Sequence, residues 1–390
     1  MLAAASVLAV SALAQGPPPH PDAASACAAM NTSVKIGVMH GFGRIGDYSR
    51  NSGCGYECGR KTFRWDNGPQ GFGDGSPSGK STQWPSTLNM AATWDPELAG
   101  EWGLAMGMEF WTKGTNIQEG PGANIARCEL NGRTFEYISG EDPVLGGTLV
   151  KPLVNGIQQH VMSITKHYIM NNQETDRSGV NEIIDEQTLM ELYSPAFGAA
   201  ASSVDVHGAA STQGTSGYMC AYNRINGKWA CEQPLTLKTV LKTYYNFSGF
   251  VVSDWGACHS TSPSINAGLD LEMPQGNHFT QAKITAALEA KNITESQLHE
   301  SCIRIMSGWY NLPAEKRYPC GGGSCMDVNA STPAHKALAR KISAQSTVLV
   351  KNEGQLLPLD KSKRLKVVLI GKDAQGAFPY NPSCANIKCR

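Results

Sequence analysis

The sequence reads as an α/β chain, with a (β/α)8 TIM-barrel-like domain over 33–333 followed by the start of an incomplete α/β domain over 334–390. Three features point there. Short apolar runs alternate with longer segments of helical spacing, separated by glycine-punctuated loops at intervals that suit repeated βα units. A chain of 390 residues can bury a large core, and one barrel-sized domain plus a fragment fits that length as well as two medium domains do. Near the C-terminus, an amphipathic segment leads through STVLVKNEGQLLPL and the basic KSKRLK to VVLIG, written as a buried parallel strand would be. About twenty residues come after it, against the ~100 or more of a stable domain, so this second unit is expected to be truncated.

In chain order, the first stretch to resolve is VKIGVMHGFGRIG, 34–46. An apolar run feeding G-x-G-x-x-G is also how a dinucleotide-binding strand and turn would be written. That fingerprint needs a helix directly after the glycines, its N-terminus facing the pyrophosphate. The next residues, DYSRNSGCGYECGRKTFRW, are polar and glycine-studded, with no helical apolar stripe. The stretch is therefore expected to be an entry helix over 34–40, with Gly41 as its left-handed C-terminal stop. Further strands are expected at 117–118, 162–166, 218–222, Phe250–Ser253 and 269–272. Helices are expected at 96–110, 145–160, 185–201, 281–290, 295–309 and 334–346.

The N-terminus MLAAASVLAVSALAQG is a short apolar run ending in Ala12-Leu13-Ala14, the A-x-A form of a signal-peptidase site, although its start carries no Lys or Arg. Residues 1–14 are thus expected to be a signal peptide, and the Pro- and Ala-rich 15–32 a leader. No stretch reaches the ~18 to 20 apolar residues needed to span a bilayer, so no membrane partner is expected. Basic and acidic residues balance at 33 each, which gives no global field towards nucleic acid. Twelve cysteines suit an oxidising compartment, with Cys54 and Cys58, Cys220 and Cys231, and Cys320 and Cys325 as close pairs. No cysteine pair has a matching second pair at zinc spacing, so no metal is expected, and without a helix after the glycines of 41–46 no cofactor is expected either. Four N-x-S/T sequons, at Asn31, Asn246, Asn292 and Asn329, agree with secretion.

The chemistry concentrates in GFVVSDWGACHST, 249–261. Phe250 to Ser253 make a buried strand that leaves Asp254 at its C-terminal end beside Trp255, and in a β/α barrel that end is the rim where catalytic groups sit. A carboxylate against an indole face suits attack on a sugar's anomeric carbon, the ring providing an apolar platform for the pyranose. From this peptide alone, Asp254 could equally cap the next helix.

This peptide resembles glycoside hydrolase family 3, the β-glucosidases and β-xylosidases. So, in order along the chain, do GPGANIARCELNGRTFEYISGEDPVLGG, KHYIMNNQETDR, YMCAYNRINGKWACE and NAGLDLEMP. The resemblance runs over roughly 34–370 and implies a TIM-barrel domain followed by an α/β sandwich domain. It implies Asp254 as catalytic nucleophile and Asp66 of WDNGPQGF as the carboxylate that grips substrate hydroxyls. Arg133, Lys166, His167 and Arg177 would hydrogen-bond the sugar, with Met219, Tyr222 and Trp255 lining the same pocket. Cys220 with Cys231 resembles a family bridge. The pattern departs at one point: the family writes its first Asp directly before Gly-Pro, whereas Asn67 intervenes here, and an error of about 1 Å in a carboxylate's aim can cost ~100-fold in rate. An Asp there, where many xylosidase relatives have Glu, leans towards a glucoside.

The implied activity is secreted, retaining, exo-acting β-glucoside hydrolysis on a β-linked oligosaccharide or an aryl or alkyl β-glucoside. A β-xylosidase is the alternative within the family, and a glycan-binding remnant or partial gene product the alternative outside it. Retention needs two carboxyl groups about 5 to 5.5 Å apart. In two-domain relatives the second is a Glu far downstream, expected here to be missing, and the substitute second His of single-domain members is absent after Lys166-His167. Asp205 and His207, in the long loop 202–217, are an in-chain acid/base candidate; a polar surface insertion is the plainer alternative.

Overall fold

The structure, a computed structural model, describes residues 19–45, 47–54, 61–73, 80–202, 214–368 and 370. The expected signal peptide, Cys58, and Asp205 with His207 lie outside these residues.

Helix α1 (Pro21–Ala29) and α2 (Thr32–Val38) precede the antiparallel pair β1 (Arg50–Cys54) and β2 (Lys61–Asn67). Next come α3 (Thr87–Ala91), α4 (Pro96–Thr112), β3 (Ile117–Glu119), α5 (Pro143–Ile157) and β4 (Met162–Tyr168). The short β5 (Asn181–Glu182), α6 (Pro195–Ala201), β6 (Gly217–Cys220), β7 (Arg224–Ile225), β8 (Lys228–Trp229) and β9 (Phe250–Ser253) come after these, then α7 (Ser262–Ala267), α8 (Gln281–Glu289), α9 (Glu295–Asn311) and α10 (Pro333–Gln345). Helix starts follow local chemistry. Asp95 and Asp142 accept from the first-turn amides of α4 and α5, each with Pro in the first turn, and Thr294 with Gln297 forms a capping box on α9.

The main sheet has the order β1-β2-β3-β4-β6-β9, parallel from β2 onward. Bridges close it into a ring. Leu271 pairs with Val252 of β9, Glu272 with His40, and Gly41 with Ser52 of β1. The α/β fold expected from the sequence is present, with one difference from eight parallel strands: among the described residues six positions are strands and two are held by bridges alone, and β1 runs opposite to the rest. Segment 269–272 therefore sits where a strand was expected but pairs too briefly to be one.

Four local outcomes differ from expectation. Helix α2 ends at Val38 rather than His40, and Gly41 is not its left-handed stop; a Cβ on Gly41 would stand 2.3 Å from the Pro274 carbonyl oxygen, so glycine there permits the bridge that closes the ring. The helix expected over 185–201 is broken: Leu189–Tyr193 is π-helical, and Pro195, which lacks an N–H, restarts the chain as α6. The 15–32 stretch is not all leader, because α1 packs against α9 with Ala23 and Cys27 fully buried. Helix α10 docks on α4 instead of merely linking: His335 Nδ1 lies 2.7 Å from the buried Glu109 carboxylate, which also accepts from Thr82. Beyond it, Val367, Val368 and Ile370 are exposed and lie outside the sheet.

Both close cysteine pairs that lie wholly within the described residues are bridged, Cys220 to Cys231 and Cys320 to Cys325. A third bridge, Cys27 to Cys302, ties α1 to α9 across 275 residues and was not legible as a pair. Replacing Cys27 and Cys302 by Ser should lower stability by about 2 to 5 kcal/mol, read as an earlier midpoint in urea unfolding. An unchanged midpoint would mean that α1 contributes nothing to the barrel.

Candidate active site

The parallel strands deliver their C-terminal ends to one rim. Strand β9 is buried at all four positions, and Asp254 comes directly after it with 8% exposure. Its Oδ1 accepts from the Tyr222 hydroxyl at 2.8 Å and from the Trp255 amide at 2.7 Å. Oδ2 accepts no hydrogen bond among the described residues; His167 Nε2 stands 3.6 Å away. One carboxylate oxygen is thus clamped and the other left available at the cavity.

Strand β6 ends at Cys220, two residues short of expectation, and the chain turns there so that Tyr222 reaches across to Asp254. The Cys220–Cys231 bridge closes this turn. Met219, still in β6, contributes a buried apolar wall, and Trp255 lies edge-on to Trp65 at 6.2 Å.

Strand β4 supplies Lys166 and His167, both buried. Lys166 Nζ donates to Asn67 Oδ1 at 2.9 Å. Burial, opposed by nearby Glu136, lowers its pKa. Burial first, then Arg133, Lys166 and Arg177, pushes His167 well below the ordinary histidine value, so the ring is neutral at neutral pH. Asn124 holds its backbone at both N–H and C=O. The Tyr137 hydroxyl lies 3.1 Å from Nδ1 and itself accepts from Asn171. We assign Nδ1 as acceptor, which leaves Nε2–H facing Asp254.

Two arginines complete the cationic side. Arg133 is buried against Glu136, with Glu174 at 3.8 Å; burial works against its charge, but Glu136 and its neighbours hold the guanidinium above its ordinary pKa. Arg177 pairs with Glu174 at 3.0 Å and lies 4.5 Å over the Tyr222 ring.

Asp66 does not line the cavity; Asn67 does. The period-two alternation of a strand explains this. Trp65 and Asn67 share the inner face of β2, paired in register with Ile117 and Glu119 of β3, and Asp66 pairs with Gln118 on the other. Gln118 points to the helix layer, where its amide meets Met106 of α4. Asp66 and Asn67 therefore lie on opposite faces of β2. Asp66 is buried and lies 3.6 Å from Arg50.

Comparison with known proteins bears on this geometry. The model of the glycosyl hydrolase family 3 N-terminal domain matches residues 70–307. The chain belongs to that family. It is 36% identical over 322 residues to a β-glucosidase of Rhizobium radiobacter, covering 82% of this chain and 38% of that protein. It is 37% identical over 303 residues to thermostable β-glucosidase B of Acetivibrio thermocellus, covering 77% and 37%. The crystal structure of β-glucosidase D2-BGL from Chaetomella raphigera superposes with a TM-score of 0.78 at 31% identity, over 88% of this chain and 49% of that one. β-Glucosidase 3B from Thermotoga neapolitana, in complex with α-D-glucose, gives a TM-score of 0.75 at 29% identity, over 87% and 48%. This family 3 chain thus spans about two-fifths of the length of the curated relatives it matches.

Arg133, Lys166, His167, Arg177, Met219, Tyr222, Asp254 and Trp255, all expected from the sequence, line one cavity. Three further lining residues, Arg50, Asn67 and Glu119, were not picked out from the sequence. Glu119 carried a weak signal, a charged residue directly before Gly-Pro, in a strand of only three residues, Ile-Gln-Glu. Arg50 carried none, since its place depends on the β1–β2 pairing that sets it opposite Trp65.

A histidine whose folded pKa lies below its unfolded value of about 6.5 binds fewer protons folded than unfolded. Its contribution is present above pH 6.5 and is lost as pH falls through the folded value. Unfolding free energy should therefore fall on acidification below about pH 6.5, and His167→Asn should flatten that slope in urea titrations at stepped pH. An equal slope in both proteins would contradict a buried neutral His167.

Proposed function

We propose that this chain carries the sugar pocket and nucleophile of a secreted, retaining, exo-acting β-glucosidase. The observation that carries it is the asymmetric hold on Asp254, with Oδ1 fixed by Tyr222 and the Trp255 amide and Oδ2 left towards the cavity. Oδ2 attacks the anomeric carbon of a terminal β-D-glucosyl unit as the bond to the leaving oxygen breaks. Water then cleaves the covalent ester and regenerates the carboxylate. Arg133, Lys166, His167 and Arg177 offer donors for the hydroxyls, and Met219 and Trp255 an apolar face for the ring. The acid that protonates the leaving oxygen is assigned outside the described residues.

The substrate class, a β-linked oligosaccharide or an aryl or alkyl β-glucoside, rests on the names of the relatives and the glucose held by one of them. With Asn67 in the wall, the Asp that favoured a glucoside over a xyloside no longer faces the sugar, so β-xylosidase activity is the competing specificity. Secretion is supported by three disulfides among the described residues and by the exposure of Asn31, Asn246, Asn292 and Asn329, all available as glycan acceptors. Among the described residues no helix is long and apolar enough to cross a membrane.

Incubation with 2,4-dinitrophenyl 2-deoxy-2-fluoro-β-D-glucoside tests the nucleophile, because that leaving group needs no protonation. Mass analysis should find one fluoroglucosyl adduct, on the peptide containing Asp254. Asp254→Asn should abolish it and lower aryl glucoside turnover on the order of 1000-fold or more. An adduct elsewhere would reassign the nucleophile; glucose binding with neither adduct nor turnover would support a binding remnant.

A further inference from the structure

We propose that Glu119, with Arg50 beside it, recognises the hydroxyls at the end of the sugar remote from the anomeric carbon, and so decides which glycone the pocket takes. This rests on Asp254 as the nucleophile. Glu119 ends β3, which lies three places from β9 in the order β3-β4-β6-β9, so its carboxylate enters the cavity from the wall away from Asp254. With the anomeric carbon at Asp254, the far edge of a pyranose meets the β2–β3 wall.

That wall contains Arg50, Asn67 and Glu119. Register places Asn67 directly opposite Glu119 on the inner face, while Asp66 faces away. Among the described residues Glu119 is therefore, with Asp254, one of two carboxylates lining the cavity, and it is 4% exposed. Arg50 Nη1 stands 3.9 Å from Glu119 Oε1 and 3.6 Å from Asp66 Oδ1, and its guanidinium carbon lies 5.8 Å from the centre of the Trp255 ring. A carboxylate with two oxygens can stand beside a guanidinium and still take hydroxyl protons. Arg50 offers N–H donors to the oxygens of the same hydroxyls. Asn67 is neutral and already accepts from Lys166, and Asp66, though 3.6 Å from Arg50, does not line the cavity, so the charged acceptor presented at this end of the sugar is Glu119.

Titration calorimetry of the full chain with glucose, 4-deoxyglucose, 6-deoxyglucose and xylose tests this, with wild type compared against Glu119→Gln and Arg50→Gln. Glu119→Gln should weaken glucose binding by about 10- to 100-fold, and lose little or nothing further for at least one of the sugars that lack a remote hydroxyl. Arg50→Gln should weaken the same sugars in the same order. A purely structural role would weaken all four sugars by one factor, and that result, or unchanged glucose binding in Glu119→Gln, would overturn the proposal. Urea midpoints of the variants confirm folding, and should Glu119→Gln fail to fold, Glu119→Asp with the same four sugars gives the same comparison. A wild type that binds glucose and labels at Asp254 while the variants are indifferent sinks this inference alone. A wild type that binds none of the sugars sinks the glucosidase reading with it.

Discussion

Closure of the strand ring is the constraint on which the site depends. A strand places alternate side chains on opposite faces, so a rim built from parallel strand ends has few inward positions, each fixed by register. Here the ring closes through single bridges at Glu272–His40 and Gly41–Ser52, with Gly41 admitting the Pro274 carbonyl. That closure aims Asp254, Met219, Lys166, Asn67 and Glu119 into one cavity from five strands. The same rule puts Asp66 on the other face of β2 from Asn67, with its carboxylate 3.6 Å from Arg50.

The cavity is a place where charge has been concentrated at the cost of desolvation. Arg133 pairs with Glu136 and Glu174 and Arg177 with Glu174, Lys166 leans on the Asn67 amide, and His167 is kept neutral by burial first and by its cationic neighbours second. Beside the neutral His167, Tyr222 and the Trp255 amide hold one oxygen of Asp254, and the other accepts no hydrogen bond among the described residues. A pocket crowded with donors suits a ligand made of hydroxyls, which can accept from every one of them. The Cys220–Cys231 bridge and the turn after β6 matter because they hold Tyr222, whose hydroxyl fixes the other oxygen.

Much of this was legible from residues alone. The apolar run Phe250–Ser253 marked its strand without error, since a fully buried four-residue strand needs no partner to be recognised. Helices α4, α5, α8, α9 and α10 carry caps and apolar spacing that act locally, and their bounds moved by only a few residues. Where the outcome depended on distant partners, local reading failed. Segment 269–272 paired too briefly for a strand, and α1, read as leader, became core once Cys27 met Cys302; the break of the 185–201 helix at Pro195 was a local signal passed over.

Sequence by itself determined the α/β alternation, the family, and eight of the eleven residues that line the cavity, because those signals are contiguous motifs. Only the tertiary structure decided which of Asp66 and Asn67 lines the cavity, which oxygen of Asp254 is held, and that Arg50 and Glu119 share the wall. These are matters of register and of contacts between strands far apart in the chain, and a one-residue insertion that looks minor in a string reverses a side chain once the strand is paired.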